Sequence, residues 1–190
     1  RLGESGKLLA FDQDPDAKQN VIDDKRFTLI PENFRYLKQF LRFYGCKKVD
    51  GVLGDFGVSS HQFDVAERGF STRFDSRLDM RMNQRDKISA YEVVNEYAEA
   101  DLRSVFCQYG ELKNAPKLAR LIVQERAENP IETGDHLKEL LTPFLFKGKE
   151  FKILAQIYQA IRIEVNQEIQ VLKEFLQQTE EVLEPGGRIS

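Results

Sequence analysis

Tryptophan is absent from this 190-residue sequence, and cysteine, histidine and methionine occur only twice each. Cys46 and Cys107 lie far apart and form no Cys-x-x-Cys pair, so we expect buried thiols in a reducing cytoplasm rather than a disulfide or a metal site. His61 and His136 have no neighbouring metal-ligand residues, and we therefore predict no metal. Long apolar runs are also missing, since none approaches the ~20 residues that a membrane span needs.

Neither sign of charge is in large excess. The formal net charge is −3, and 31% of the residues are charged. This balance argues against a protein that binds nucleic acid over its whole surface, but it leaves room for a local basic patch. With 41% hydrophobic residues over 190 positions, the chain can form one large domain or two small ones with an ordinary core.

Short apolar runs alternate with a helical pattern in the first part of the chain. Lys7–Phe11, Arg26–Ile30 and Val49–Leu53 have the length and composition of buried strands. Between the second and the third run, the apolar residues of Asn33–Tyr44 recur at helical spacing. Strands that alternate with helices are typical of βαβ units, so we predict an α/β fold with a parallel sheet.

The pattern becomes helical after about residue 76. Apolar residues recur at helical spacing in three successive segments, and the third begins at a predicted N-cap, Thr133. One long helix is predicted from Phe151 to about Leu183, where Pro185-Gly186-Gly187 ends it and a strand begins. Six residues of the three segments are expected to be buried: Leu102, Phe106, Leu118, Ile122, Leu137 and Leu141.

Two aspartates, Asp12 and Asp55, closely follow predicted strands. The carboxyl ends of parallel strands form the ligand-binding edge of such sheets, where a carboxylate can accept hydrogen bonds from ribose hydroxyls or from an amine. Asp12 is followed by Asp14, Pro15 and Asp16, so a role in a turn or cap is the alternative for it. The alternative for the loop after Asp55 is an ordinary strand–helix connection with an N-capping serine.

An arginine-rich segment follows the loop of Asp55. Arginines beside aromatic rings suit contact with phosphates and stacking on bases, so we predict that the first four arginines of this segment bind RNA. The alternative is an exposed face whose arginines pair with the segment's own aspartates. The segment has a net charge of +3, from Arg68, Arg73, Arg77, Arg81 and Arg85 against Asp75 and Asp79, with Phe70 and Phe74 between them.

Four segments carry a more specific pattern: Asp55–Gln62 (DFGVSSHQ), Ala66–Ser71 (AERGFS), Leu78–Met82 (LDMRM) and Gln159–Asn166 (QAIRIEVN). In this order and spacing they resemble the bacterial MraW-type 16S rRNA (cytosine-N4)-methyltransferase family, and the resemblance runs through essentially the whole chain. ERGFS followed by LDMRM is far more specific than an acid at a strand end.

The resemblance implies a fold and a domain organisation. The expected fold is a class I, Rossmann-like S-adenosylmethionine methyltransferase domain, incomplete in this chain, with an inserted helical domain. The expected bounds are 1–76 for the first part of the methyltransferase domain, 77–166 for the helical insert that recognises the substrate, and 167–190 for the return of the first domain.

The resemblance also implies a reaction and its site residues. S-adenosyl-L-methionine is the expected cofactor, with Asp12 on its ribose and with Phe34, Asp55 and Gln62 lining its pocket. The expected partner is 16S ribosomal RNA or the small ribosomal subunit. Because the exocyclic nitrogen of cytosine is a poor nucleophile, we expect Asp55, or alternatively a backbone carbonyl of the Gly57–Ser60 loop, to act in catalysis by accepting a hydrogen bond from the N4 amine.

Two segments typical of the family are not found in this sequence. Its glycine-rich cofactor loop is expected before Arg1, and its His-Ser-Leu-Glu-Asp-Arg segment after Ser190. We therefore expect an internal piece of a longer enzyme that is inactive by itself. The family often has proline where His61 stands.

Two other functions remain open on the sequence. A nicotinamide-dependent oxidoreductase also has an acid after a strand, but it requires a G-x-G-x-x-G motif about 20 residues before Asp12. A non-catalytic RNA-binding module is the other alternative, and it predicts RNA affinity without cofactor affinity.

Overall fold

Residues 2–145 and 148–190 are described by the computed structural model, and they form two compact units. The α/β unit comprises the chain up to Phe56, Met82–Gln84 and Ile169–Ser190, and the helical unit comprises Gly57–Arg81 and Arg85–Glu168. Within these ranges, none of the helices combines the length and the apolar character that crossing a membrane requires.

Strands frame the α/β unit and helices build the helical unit. In chain order, the elements are β1 (Leu8–Phe11), β2 (Phe27–Ile30), α1 (Leu37–Phe43), β3 (Val49–Val52), α2 (Ser60–Asp64), α3 (Ala90–Glu96), α4 (Glu99–Gln108), α5 (Ala115–Glu128), α6 (Gly134–Leu141), α7 (Glu150–Val165), α8 (Glu168–Val182) and β4 (Leu183–Ile189). Short 3₁₀ helices cover Pro15–Asn20, Phe34–Tyr36, Ala66–Arg68 and Thr142–Phe144.

The predicted strands form, and they pair in parallel. β1 pairs with β2 and β3 pairs with β4, so the described strands make two parallel ladders rather than one continuous sheet. The two ladders share a core, because Leu9 of β1 and Val49 of β3 both pack against one buried cluster, which includes Leu41 and Phe175 of the helices. Side-chain packing, not a shared ladder, therefore joins the strands into one unit.

The C-terminal strand is irregular. Val49 pairs with Leu183, but Gly51 pairs with Arg188, so the two strands are out of register between these pairs. Gly186 lies in this stretch with a φ of 85°, a left-handed conformation that glycine adopts without strain. The predicted end of the helix near Leu183 is confirmed, since α8 ends at Val182, but Pro185-Gly186-Gly187 lies within the strand β4 that follows directly.

The predicted helical pattern is confirmed by α3 to α7, and its apolar stripes form a buried core. The N-cap prediction also holds, since the Thr133 side chain accepts a hydrogen bond from the backbone N–H of His136. An isolated antiparallel bridge between Arg77 and Thr133 is the only strand-like pairing described in this block. All six residues that were expected to be buried are fully inaccessible: Leu102, Phe106, Leu118, Ile122, Leu137 and Leu141.

The prediction of one long helix from Phe151 to Leu183 is wrong. The chain forms α7 and α8 instead, and it turns at Gln167, which has a φ of 50°. The buried side chain of Asn166 explains the break, because its amide donates to the backbone oxygen of Met80 at 2.8 Å. A contact with a residue 86 positions away in sequence thus ends a helix that its own periodicity would continue.

The two units divide the chain differently from the bounds expected from the family. The segment Gly57–Arg81, which was assigned to the methyltransferase domain up to residue 76, belongs to the helical unit. The C-terminal return begins at Ile169, close to the expected residue 167. The functional meaning of the bounds 1–76, 77–166 and 167–190 stays a prediction.

Candidate functional site

The segments that follow β1, β2 and β3 meet at one edge of the α/β unit. Asn33, after β2, donates from Nδ2 to Oε1 of Gln13, after β1, at 2.8 Å. Phe34, also after β2, packs against Phe56, after β3, with 5.1 Å between the ring centroids. The structure therefore gathers the predicted residues Asp12, Phe34 and Asp55 on the carboxyl side of the parallel strands, where α/β proteins bind ligands.

Asp12 lies at this edge and also stabilises a turn. Its Oδ1 accepts a hydrogen bond from the backbone N–H of Asp14 at 2.9 Å, and Asp14 in turn caps the 3₁₀ helix Pro15–Asn20. The turn that the sequence offered as an alternative is thus present. The Asp12 side chain nevertheless remains exposed at the edge, so the turn orients a carboxylate that a ligand can reach.

Three phenylalanines form a cluster directly behind Asp55. Phe34, Phe56 and Phe175 contact one another, with centroid separations of 5.1, 5.2 and 5.5 Å. The Phe56 ring folds back over Gly54, where a Cβ atom would come within 2.2 Å of the ring. Because Phe56 is the next residue after Asp55, this cluster holds the backbone that carries the exposed Asp55 carboxylate.

Charged contacts fix the short helix that carries Phe34. Arg35 donates from Nε and Nη2 to the two carboxylate oxygens of Glu174 on α8, both at 2.8 Å. Hydrogen bonds from Arg35, and then from Gln170, lower the pKa of Glu174 to about 2. Gln178 adds a bond from its Nε2 to the backbone oxygen of Arg35 at 2.7 Å. Phe34 is therefore positioned by α8, an element more than a hundred residues further along the chain.

Gln62, the fourth predicted cofactor residue, lies in the helical unit. It is buried, and it forms a capping box at the start of α2: its Oε1 accepts from the N–H of Ser59, and the Ser59 hydroxyl accepts from the N–H of Gln62, both at 3.2 Å. The N-capping serine that the sequence offered as an alternative is thus confirmed. A role for Gln62 at the cofactor stays a prediction.

Two of the four predicted RNA-binding arginines have structural contacts. Arg68 is only 3% exposed, and its Nη2 donates to the backbone oxygen of Arg81 at 3.1 Å. Arg81 makes a two-point ion pair with Asp79, with N–O distances of 2.9 and 2.7 Å. Burial disfavours the charged form of Asp79, but hydrogen bonds from Arg81 outweigh it and lower the pKa of that carboxyl. The internal pairing that the sequence offered as an alternative is therefore present for Arg81.

Arg73 and Arg77 are the exposed members of that set. Arg73 lies over the Phe74 ring, 5.4 Å from its centroid, and pairs with the exposed Asp64 at 2.8 Å. Arg77 contributes its backbone to the bridge with Thr133, which leaves its side chain at the surface. Contact with a phosphate needs reachable positive charge, so the structure favours these two over Arg68 and Arg81.

Four residues that shape this edge or end helix α7 were not predicted from the sequence: Phe56, Phe175, Asn166 and Gln178. Phe56 and Asn166 carried a signal, because each lies in a segment, DFGVSSHQ or QAIRIEVN, on which the family resemblance rests. The others act on partners far away in sequence, and no local pattern marks such contacts.

Parallel strands joined by helices define an α/β protein, and the carboxyl edge of such strands, where the carboxylates and the aromatic cluster lie, is where proteins of this class bind small ligands. Comparison with known families is more specific. The family described as the MraW methylase family matches residues 1–190, and the chain belongs to that family. Its mixture of strands and helices agrees with the expected Rossmann-like fold, and membership leaves the nicotinamide alternative without support.

Curated relatives match the chain along its full length. It is 76% identical to a protein named ribosomal RNA small subunit methyltransferase H from Christiangramia forsetii, and it covers 63% of that protein. Proteins with the same name from Flavobacterium johnsoniae and Bacteroides fragilis are 66% and 53% identical, with 63% and 62% of their lengths covered. The chain thus spans a little under two thirds of these relatives.

Proposed function

We propose that this chain supplies a cofactor-binding edge and a substrate-recognition unit to an enzyme that methylates the N4 amine of a cytosine in 16S ribosomal RNA. The observation that carries the proposal is the 76% identity, over the entire chain, to a small-subunit rRNA methyltransferase. The methylated atom and the 16S target rest on the DFGVSSHQ, ERGFS and LDMRM segments that the chain shares with its family.

The residues at the edge suit S-adenosyl-L-methionine by their chemistry. That cofactor carries a ribose diol, an adenine ring and a charged amine, and it supplies an electrophilic methyl group on a sulfonium. Exposed carboxylates suit the diol and the amine, and a half-exposed ring suits the adenine. In the proposal, Asp12 accepts hydrogen bonds from the ribose, Phe34 packs on the adenine, and Asp55 contributes its carboxylate at the same edge. For Gln62 the proposal keeps the cofactor role that the family resemblance implies.

Asp55 is proposed to act on the substrate amine as well. The lone pair of the cytosine N4 atom is conjugated into the ring, which makes it a poor nucleophile. A carboxylate that accepts a hydrogen bond from the N4–H group favours a pyramidal nitrogen and holds it in line for attack, and such alignment is the main requirement of a displacement reaction. A paired target base must first be unstacked to reach this position.

RNA recognition is proposed for the helical unit, including residues 77–166, with Arg73 and Arg77 as its phosphate contacts. In the full-length enzyme, the double variant Arg73→Gln and Arg77→Gln should weaken rRNA binding and reduce the magnitude of its logarithmic salt slope by roughly two, about one per lost phosphate contact. Cofactor affinity should not change. The matched control is Arg103→Gln, an exposed arginine of α4. If the salt slope is unchanged in a folded double variant, we would infer that the RNA phosphates contact Lys113, Lys117 and Arg120 instead.

The cofactor role is tested by calorimetric titration of S-adenosylmethionine into the full-length enzyme and its Asp12→Asn variant. Asparagine keeps the oxygen that accepts from Asp14 and removes only the charge, so the turn is preserved. Hydrogen bonds to charged groups contribute ~1.5–3 kcal/mol, and we expect a loss of affinity of about tenfold or more. The control is the exposed Asp23→Asn.

The same titration into this 190-residue chain tests whether cofactor binding requires the rest of the enzyme, and we expect weak or no binding. For the reaction itself, nucleoside analysis of methylated 16S rRNA should show N4-methylcytidine. Methylation at another atom or base would contradict the proposed reaction while leaving the cofactor site intact.

A further inference from the structure

A cavity of about 610 Å³ lies within the helical unit, and its lining residues differ from those proposed for the cofactor, although Gln62 lies on the same helix α2. One wall is the segment from α2 to residue 73, and the other is one face of α7, on which Ala155, Gln159 and Arg162 recur at helical spacing. Ligand sites in proteins typically measure about 300–1,000 Å³, so the cavity has room for one nucleotide. Its principal side chains are Phe63, Asp64, Arg73, Tyr158, Gln159 and Arg162.

At the rim of the cavity, the guanidinium of Arg73 is accessible to a phosphate. The side chain of Arg73 is 62% exposed and that of its partner Asp64 is 68% exposed. Ion pairs between exposed groups contribute little, typically ~0–1 kcal/mol, because water screens them. A phosphate, which accepts two parallel hydrogen bonds from a guanidinium, can therefore replace Asp64. Arg162 is different, since it is held by Glu168 at 2.8 Å with both side chains only 20% exposed.

The walls combine an aromatic face with hydrogen-bonding groups. Phe63 is 39% exposed, so part of its ring faces solvent. Gln159 is exposed, with a long contact of 3.4 Å from its Nε2 to the Tyr109 backbone oxygen, and its amide can both donate to and accept from a base edge. At the base of the cavity, burial raises the pKa of Tyr158, which keeps its hydroxyl protonated.

We infer that this cavity binds one unpaired RNA nucleotide, with its base on Phe63 and Gln159 and its phosphate on Arg73. A ring for stacking, an amide for a base edge and a guanidinium for a phosphate are the combination that single-stranded RNA sites use. The inference rests on the proposed rRNA substrate and assigns it a second contact, for a nucleotide other than the one that is methylated.

The test measures binding of a fluorescein-labelled single-stranded RNA hexanucleotide to this 190-residue chain by fluorescence anisotropy, without cofactor. Phe63→Leu and Gln159→Leu are compared with matched controls outside the cavity, Phe151→Leu, whose phenylalanine is 85% exposed, and Gln124→Leu on α5. Loss of one stacked base typically weakens binding by roughly tenfold, and we expect that for Phe63→Leu with no change in the controls.

Asp64→Asn should change RNA affinity in the opposite direction. If a phosphate competes with Asp64 for Arg73, removing the carboxylate should raise RNA affinity several-fold, whereas Arg73→Gln should lower it. Equal losses in the Phe63 and Phe151 variants, no RNA binding at all, or a loss of affinity in Asp64→Asn would each overturn the inference. Failure of the full-length enzyme to bind S-adenosylmethionine would refute the proposed reaction and leave this result standing.

Discussion

Phe106 in the helical unit is fully buried, whereas Phe43 in the α/β unit is 77% exposed. The same contrast extends to the rest of the two units. Helices α3 to α7 enclose most of their large apolar side chains, but the α/β unit exposes Leu53 at 83% and Ile22 at 60% and has a small buried cluster around Leu41. In this chain, the helical unit therefore has the larger buried core. The buried cluster of the α/β unit joins α1 to α8.

Among the variants that test this contrast between the units, Phe106→Ala should lower the free energy of unfolding the most. A fully buried phenylalanine replaced by alanine typically costs 3–5 kcal/mol, since apolar contact is lost and a cavity remains. We expect that loss in the free energy of unfolding in urea, and we expect Phe43→Ala, at the surface of the other unit, to stay within ~0.5 kcal/mol. Similar losses for the two variants would contradict the contrast between the units.

Asp79→Asn tests the ion pair with Arg81 in the helical unit. Both side chains are 25% exposed, and we expect a loss of about 1–2 kcal/mol at pH 7, because a hydrogen-bonded charge pair is broken. The folded-state pKa of Asp79 is lowered from its ordinary 3.8, so its stabilisation is present above that pH and lost as the pH falls below it. The difference between wild type and variant should therefore shrink in acid. The exposed Glu128→Gln is the control.

Thr133→Ala should cost about 1 kcal/mol, the usual value for a lost N-cap hydrogen bond. The Thr133 side chain accepts from the His136 N–H at 3.3 Å, and it starts the helix that carries Leu137 into the core. Thr133→Ser keeps the hydroxyl and should retain most of the stability. If serine and alanine are equally destabilising in urea unfolding, the contribution of Thr133 comes from its methyl group rather than from capping.

Glu174→Gln, in the α/β unit, should have the smallest effect, because its pair with Arg35 is partly exposed and the neutral amide oxygen can still accept from Arg35. The pKa of Glu174 falls from 4.5 to about 2 on folding, so the pair stabilises above pH 4.5 and this stabilisation is lost as the pH falls towards 2. Unfolding curves of wild type and variant should converge across that window. Lys173→Gln, exposed on the same helix, should show no such convergence.

The locally encoded parts of the molecule could be predicted well. β1, β2 and β3 lie within a residue of their apolar runs, and Thr133 caps the predicted helix. The six core residues of the helical block follow from helical periodicity, which is a property of neighbouring residues. The family could likewise be predicted from short segments such as ERGFS and LDMRM, because their residues and spacing are properties of the sequence.

Which residues of a shared pattern reach solvent depends on tertiary packing and could not be predicted from the sequence. Arg68 and Arg77 belong to one arginine-rich segment, yet Arg68 is buried and Arg77 is exposed. The break at Gln167 and the ring cluster of Phe34, Phe56 and Phe175 likewise depend on partners far apart in sequence. The sequence specifies the charge of a side chain and its place in a periodic pattern. The packing of distant segments sets its burial and its hydrogen-bond partners, and these determine whether it stabilises the fold or can contact a ligand.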